Sequence, residues 1–267
     1  MSYSNYYPES GLLHASLPLL MGTRMDVLLF GQEQRPLETA WENIEKEMRR
    51  LEKMLNRYDS TGETALLNQK ATFSAVPLSD TLWSILLDCR RYFEATDGFF
   101  DITRSDFEKI VFIEESHSVL FDQYGMTIDF GGYGKGYALR CMSNHLKQAG
   151  IRQALINFGN SSILALGAHP HGDSWPVGIE DPSNGTPLLS LRLCDTSLSV
   201  SGNTPVRPSH IVNPKTSEWM TGDRMVAIVA DDPVDAEALT TAWIASGMES
   251  VPDWMMKFNL KNTYRIK

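Results

Sequence analysis

The segment 129–138, DFGGYGKGYA, packs four glycines and a lysine into ten residues. Few chain paths suit that composition. Behind it, Ala138, Met142, Leu146 and Ala149 keep a helical spacing that stops at Gly150. Ahead of it, residues 124–130 read as a short turn and strand. The glycines therefore mark a tight turn from strand into helix, where backbone N–H groups stand at a helix N-terminus without Cβ obstruction. Such a place suits a phosphate or pyrophosphate, and Lys135 adds a mobile positive charge. The spacing is that of neither a P-loop nor the Gly-x-Gly-x-x-Gly of a dinucleotide-binding βαβ unit. An ordinary tight turn with a surface lysine is the plain alternative.

Composition narrows the function classes. The chain has 267 residues, enough for one large domain or two small lobes. A net charge of −9 with no basic run or stripe argues against a nucleic-acid partner. The Lys and Arg residues of 46–57 are interleaved with Glu47 and Glu52, as on a solvated helix face. Cys89, Cys141 and Cys194 lie far apart with no CxxC pair, which fits reduced, structural thiols. No window approaches the roughly 18 apolar residues of a membrane helix, so no membrane span is expected. The first ten residues have neither a basic start nor a long apolar stretch. The expected compartment is cytoplasmic for the chain as it stands, and periplasmic or membrane-associated if a leader has been removed.

Periodicity predicts helices first and strands later. Residues 16–31 alternate as a hairpin turning near Gly22-Thr23. Leu37, Trp41, Ile44, Met48, Leu51 and Leu55 form one apolar helical stripe. Residues 63–68 read as one more helical turn. Ser79-Asp80 caps a helix through Leu82, Ile85, Leu86, Cys89 and Tyr92, stopped by Thr96-Asp97-Gly98. Runs at 154–158, 162–166, 176–180, 188–193, 197–201 and 225–230 read as strands. Asp232-Pro233 opens a last helix that ends at Gly247. This order predicts an α+β fold rather than a regular βαβ winding.

Several segments carry more polar detail than folding needs. Met21-Gly22-Thr23 lies in the first hairpin, NRYDSTGETALLN spans 56–68, and Asp101 and Thr103 follow a glycine turn at 98. Ser201-Gly202 precedes His210-Ile-Val-Asn-Pro214, and Glu237 and Thr241 are four apart on the last helix. Residues i and i+4 share a helix face, so this pair offers two hard oxygens of the kind Mg²⁺ takes. The bland reading is a surface Glu beside a Thr bonded back to its own helix. His210 can act as a general base near neutral pH, or as a structural hydrogen-bonder.

Taken in this order, the segments resemble the ApbE family, the FAD:protein FMN transferases, over residues 17–250. The resemblance rests on Met21-Gly22-Thr23, Asn68, Gly98-x-Phe100-Asp101-x-Thr103, Asp129-x-x-Gly132-x-x-Lys135-Gly136-Tyr137, Ser201-Gly202, His210-x-x-x-Pro214 and Ala236-x-Ala238-x-x-Thr241. It implies mixed or antiparallel sheets with flanking helices and FAD in a cleft between two lobes. Residues 1–16 would be an N-terminal extension, and 17–267 one catalytic domain of two intertwined lobes. It implies an Mg²⁺-dependent transfer of FMN from FAD to a threonine of an acceptor flavoprotein, with release of AMP. The alternatives are a non-catalytic FAD-binding protein of the same fold and an FAD pyrophosphatase giving FMN and AMP. In the roles the resemblance implies, Met21, Tyr58, Asn68, Asp101, Thr103, Lys135 and Gly136 line the FAD site. Gly134, Glu237 and Thr241 hold Mg²⁺, and His210 deprotonates the incoming threonine. The chain departs from the family pattern at Glu237, where Asp is usual, at Asn213, and in Asn157-Phe-Gly-Asn-Ser-Ser162.

Overall fold

A computed structural model describes residues 2–203 and 211–267. In chain order the strands are β1 (Tyr3–Tyr7), β2 (Leu12–Leu20), β3 (Thr23–Phe30), β4 (Val76–Pro77), β5 (Ile110–Ile113), β6 (Ser118–Phe121), β7 (Gln153–Phe158), β8 (Ser162–Leu166), β9 (Trp175–Glu180), β10 (Pro187–Leu193), β11 (Thr196–Asn203), β12 (Val212–Asn213), β13 (Glu218–Trp219), β14 (Arg224–Ala230) and β15 (Leu260–Arg265). The helices are α1 (Gln34–Leu55), α2 (Glu63–Lys70), α3 (Asp80–Ala95), α4 (Gly134–Gln148) and α5 (Pro233–Ser246). None is long and apolar enough to cross a membrane, among the described residues.

Eight strands form the main sheet in the order β1-β2-β3-β7-β8-β11-β14-β15, and every neighbouring pair is antiparallel. The α+β expectation is met. The extension expected over 1–16 forms one edge of this sheet, with Tyr3 opposite Ser16 and Tyr7 opposite Leu12.

Strand alternation explains why the central strands read as unbroken apolar runs. Along β14, Val226, Ile228 and Ala230 face one core, while Met225, Ala227 and Val229 face another. On β8, Leu164 and Leu166 split in the same way from Ile163 and Ala165. Successive side chains point to opposite faces, so a sheet covered on both sides needs apolar residues at every position. The helices cover one face, with α5 packed on β11, β14 and β8 and α1 on β2. Trp175, Val177, Ile179 and Leu193 of the β9–β10 hairpin cover the other. Buried between sheet and α4, α5 is apolar nearly all round, as a fully enclosed helix must be.

One expected strand is absent. Residues 126–130 enter no ladder. The Asn68 side chain takes a partner strand's place: its Nδ2 donates to the Ile128 carbonyl at 2.9 Å, and its Oδ1 accepts from the Ile128 N–H at 2.7 Å. Backbone groups inside a protein must be paired, and here a single amide pairs both. Conversely, the three-stranded sheet β4-β6-β5 and the C-terminal strand β15 were not expected from the sequence.

Candidate functional site

A cleft opens where the β2–β3 turn, the loop after α3, the glycine-rich segment, the end of β11 and one face of α5 meet. It has two chambers, of about 430 Å³ and 390 Å³. Met21, Gly22, Asp129, Gly131 and Lys135 line both, so the chambers adjoin across these residues. Each alone has the size of a small-molecule site.

Met21 reaches both chambers because the turn holds it at φ +48°, followed by Gly22 at φ +78°. A left-handed backbone is costly for a residue with a Cβ. The Met21 N–H donates to Glu52 Oε1 at 2.8 Å, which ties the turn to the last coils of α1. Asp101 organises the loop after α3: its Oδ1 accepts from both the N–H and the hydroxyl of Thr103, each at 2.6 Å. Burial pushes the Asp101 carboxyl above its usual range, against these hydrogen bonds.

The second half of the site rests on serines. Ser199 and Ser201 of β11 turn toward α5, where both hydroxyls pair with Thr240 Oγ1. Ser199 Oγ also donates to Glu237 Oε2 at 3.0 Å, and Ser162 Oγ of β8 donates to the same oxygen at 2.5 Å. Glu237 Oε1 pairs with the Lys135 ammonium. The carboxylate is thus 3% exposed and fully partnered, as a buried charge requires. The bland expectation of a surface glutamate fails. The Thr241 hydroxyl does donate back to the Glu237 carbonyl, at 3.1 Å.

Two glycines set these distances. A Cβ at 136 would stand 2.7 Å from the Pro233 carbonyl oxygen and 2.8 Å from Glu237 Cβ, so Gly136 lets α4 and α5 touch. A Cβ at 132 would lie 2.8 Å from Thr241 Cγ2. Gly136 itself lines neither chamber; its place is the helix–helix contact.

Of the residues expected at the site, Met21, Asp101, Lys135, Glu237 and Thr241 line the larger chamber. Tyr58 and Gly134 line the smaller one, and Tyr58 is largely exposed. Thr103 and Asn68 line neither: Thr103 holds Asp101, and Asn68 holds the backbone that leads to Asp129. His210 lies outside the described residues; the next residue, Ile211, lines the larger chamber. Among the described residues there is no cluster of three His, Cys, Asp or Glu side chains suited to a metal.

The phosphate cradle expected from backbone amides is partly occupied, and the N–H groups of Gly132, Lys135 and Gly136 have no hydrogen-bond partner among the described residues. The Gly131 N–H donates to Asp129 Oδ1 at 2.9 Å, and the Tyr133 and Gly134 N–H groups donate to the Phe130 carbonyl. Gly131 and Gly134 serve the turn's own hydrogen bonds, and side chains add positive charge to the cleft. Lys135 stands out in the sequence, whereas Arg57 and Arg104 do not, because their charges meet only across 47 residues of chain.

The profile of the ApbE family matches residues 21–119 and 104–263. A protein of Rhodobacter capsulatus named FAD:protein FMN transferase is 32% identical over an alignment that covers 53% of this chain and 28% of that one. One of the same name from Treponema pallidum is 26% identical over an alignment that covers 86% of this chain and 78% of its own. Among solved structures, the flavin transferase ApbE from Vibrio cholerae superposes with a TM-score of 0.81 at 17% identity, over 98% of this chain and 97% of that one. The ApbE protein of Thermotoga maritima gives 0.75 at 18% identity, over 99% and 97%. The structural likeness shows a shared fold, and the profile match spans most of the sequence: this chain belongs to the ApbE family.

Proposed function

We propose that this chain is an FAD:protein FMN transferase, moving FMN from FAD to a threonine hydroxyl of an acceptor flavoprotein with release of AMP. Family membership and the names of its relatives support the reading. The observation that carries it is the convergence on one cleft of Lys135, Glu237 and Thr241, beside a two-chambered space sized for an extended ligand.

The threonine oxygen forms a bond to the FMN phosphorus, the bond from that phosphorus to the AMP oxygen breaks, and AMP leaves. His210 accepts the threonine proton in this reading. Lys135 lines both chambers and places its charge where the pyrophosphate crosses between them. Met21, held by Glu52, forms the wall common to both chambers. Asp101 and Tyr58 complete the ligand's surroundings at opposite ends.

Mg²⁺ fits the donors present. Glu237 and Thr241 offer a carboxylate and a hydroxyl on one helix face, and Ser162 and Ser199 occupy only Oε2, leaving Oε1 as the oxygen able to exchange Lys135 for a cation. Gly134 lines the adjoining chamber. So few protein ligands suit an ion that keeps water and takes phosphate oxygens. When bound, the ion neutralises charge on the pyrophosphate.

The test is incubation with FAD, Mg²⁺ and a protein bearing the acceptor threonine, read by intact mass. A gain of one FMN, absent with His210→Ala although FAD still binds, is expected. Tight FAD binding with no mass gain and no AMP would refute the transferase reading.

A further inference from the structure

Across the waist between the two chambers runs a row of side chains from four separate segments. Asp129 lines both chambers. Its Oδ2 receives Arg104 from the larger chamber's side at 3.0 Å and Arg57 from the smaller one's at 3.3 Å. Beyond each guanidinium stands an aromatic ring: Tyr58 lies 4.8 Å from the Arg57 carbon, and Trp219 lies 5.7 Å from that of Arg104. Both rings are solvent-facing. Arg104 is held at φ +79°, an uncommon backbone state for arginine.

Two cations share one carboxylate. Among the described residues, neither arginine has another acidic partner, so the waist carries one positive charge beyond balance. Of the turn's amides, those of Gly131, Tyr133 and Gly134 are engaged with Asp129 and Phe130, and Lys135 rests on Glu237. A ligand that threads both chambers must put its linking group at this point. Guanidinium groups bind phosphate oxygens through paired donors with a fit that an ammonium lacks.

We propose that Arg57 and Arg104 position the pyrophosphate of the dinucleotide, each turning from Asp129 toward phosphate oxygens while staying anchored beside its ring. This rests on the reading of the cleft as an FAD site. The order of groups supports it: ring, cation, anion and cation run across the cleft from Tyr58 to Arg104, with Trp219 beside Arg104 outside the lining, and this matches a ligand whose phosphates lie between its ends. The arginines are positioning residues, outside the proton transfer.

The experiment compares FAD with riboflavin, which has the flavin ring but no phosphate, by fluorescence titration of the wild type, Arg57→Met, Arg104→Met and Arg104→Lys. Each Met variant should raise the Kd for FAD roughly tenfold, the loss of one charge-assisted hydrogen bond. Riboflavin affinity should not move, Arg104→Lys should recover part of the loss, and the salt dependence of FAD binding should flatten in the Met variants. Equal weakening of FAD and riboflavin would overturn the proposal and leave the arginines as braces for Asp129. Unchanged FAD affinity in both Met variants would overturn it as well. Failure of the wild type to bind FAD would strike the reading of the cleft itself.

Discussion

Replacing Gly136 by alanine sets two opposing effects against each other. Alanine is favoured over glycine inside a helix by about 1 kcal/mol. In α4, however, the new methyl would lie 2.7 Å from the Pro233 carbonyl oxygen, 2.8 Å from Glu237 Cβ and 3.0 Å from Val234 Cα. Two of those three atoms are backbone, so no side-chain rotation relieves the contact and α5 must shift away from α4. Forcing a methyl into a packed contact costs about 1–3 kcal/mol. The net expectation is a loss of about 1 kcal/mol, or a fall in Tm of about 2–4 °C for a chain of this size. Function should suffer more than stability, because Glu237 rides on the displaced helix and Lys135 precedes the substituted residue. FAD affinity and the Mg²⁺ dependence of transfer should both weaken. Gly178→Ala is the control: on β9 a Cβ there meets nothing within 4 Å, so it should be neutral or stabilise by up to about 1 kcal/mol. Urea melts of the two variants beside the wild type decide the matter. A Gly136→Ala protein as stable as the wild type, with ligand binding intact, would refute the argument that α4–α5 contact sets the site.

Asn68→Ala should cost about 2–4 kcal/mol in chemical denaturation, since it strands the buried N–H and carbonyl of Ile128; a loss below about 0.5 kcal/mol would mean water replaces the amide. Hydrogen bonds from Lys267 and Ser183 hold the Asp181 carboxyl down at about 2, below an ordinary value of about 3.9. That stabilisation is present above the ordinary value and lost as pH falls through about 2. Asp181→Asn should therefore flatten the acid limb of the stability curve in that window, and superimposable acid limbs would refute the pairing. Burial pushes the Cys141 thiol up to about 11 and the Cys89 thiol well up, whereas Cys194 is exposed. An alkylating reagent at mildly alkaline pH should label Cys194 first, checked by peptide mapping; early labelling of Cys89 would contradict its burial.

Local regularities were legible because they repeat within one element. The stripe from Leu37 to Leu55 predicts α1, Ser79 caps α3 by accepting from the Leu82 N–H, and Asp232-Pro233 opens α5. The six strand runs of the second half all appear, because alternation and turn residues are properties of a few consecutive positions. Their ordered motifs were enough to bring Met21, Asp101, Lys135, Glu237 and Thr241 to one cleft.

What the chain does not spell out are partnerships between distant residues. Whether 124–130 becomes a strand depends on Asn68, some 60 positions earlier, which supplies the hydrogen bonds a neighbouring strand would have given. Whether Glu237 faces water depends on Ser162, Ser199 and Lys135, three segments that meet it only after the sheet and helices pack. Arg57 and Arg104 read as ordinary surface charges until tertiary folding sets both on Asp129. Propensity and periodicity act over a turn or a strand, so the sequence alone determined most of the helices and strands and named residues that line the cleft. The burial, pairing and net charge of that site follow from long-range packing, so only the tertiary structure decided them.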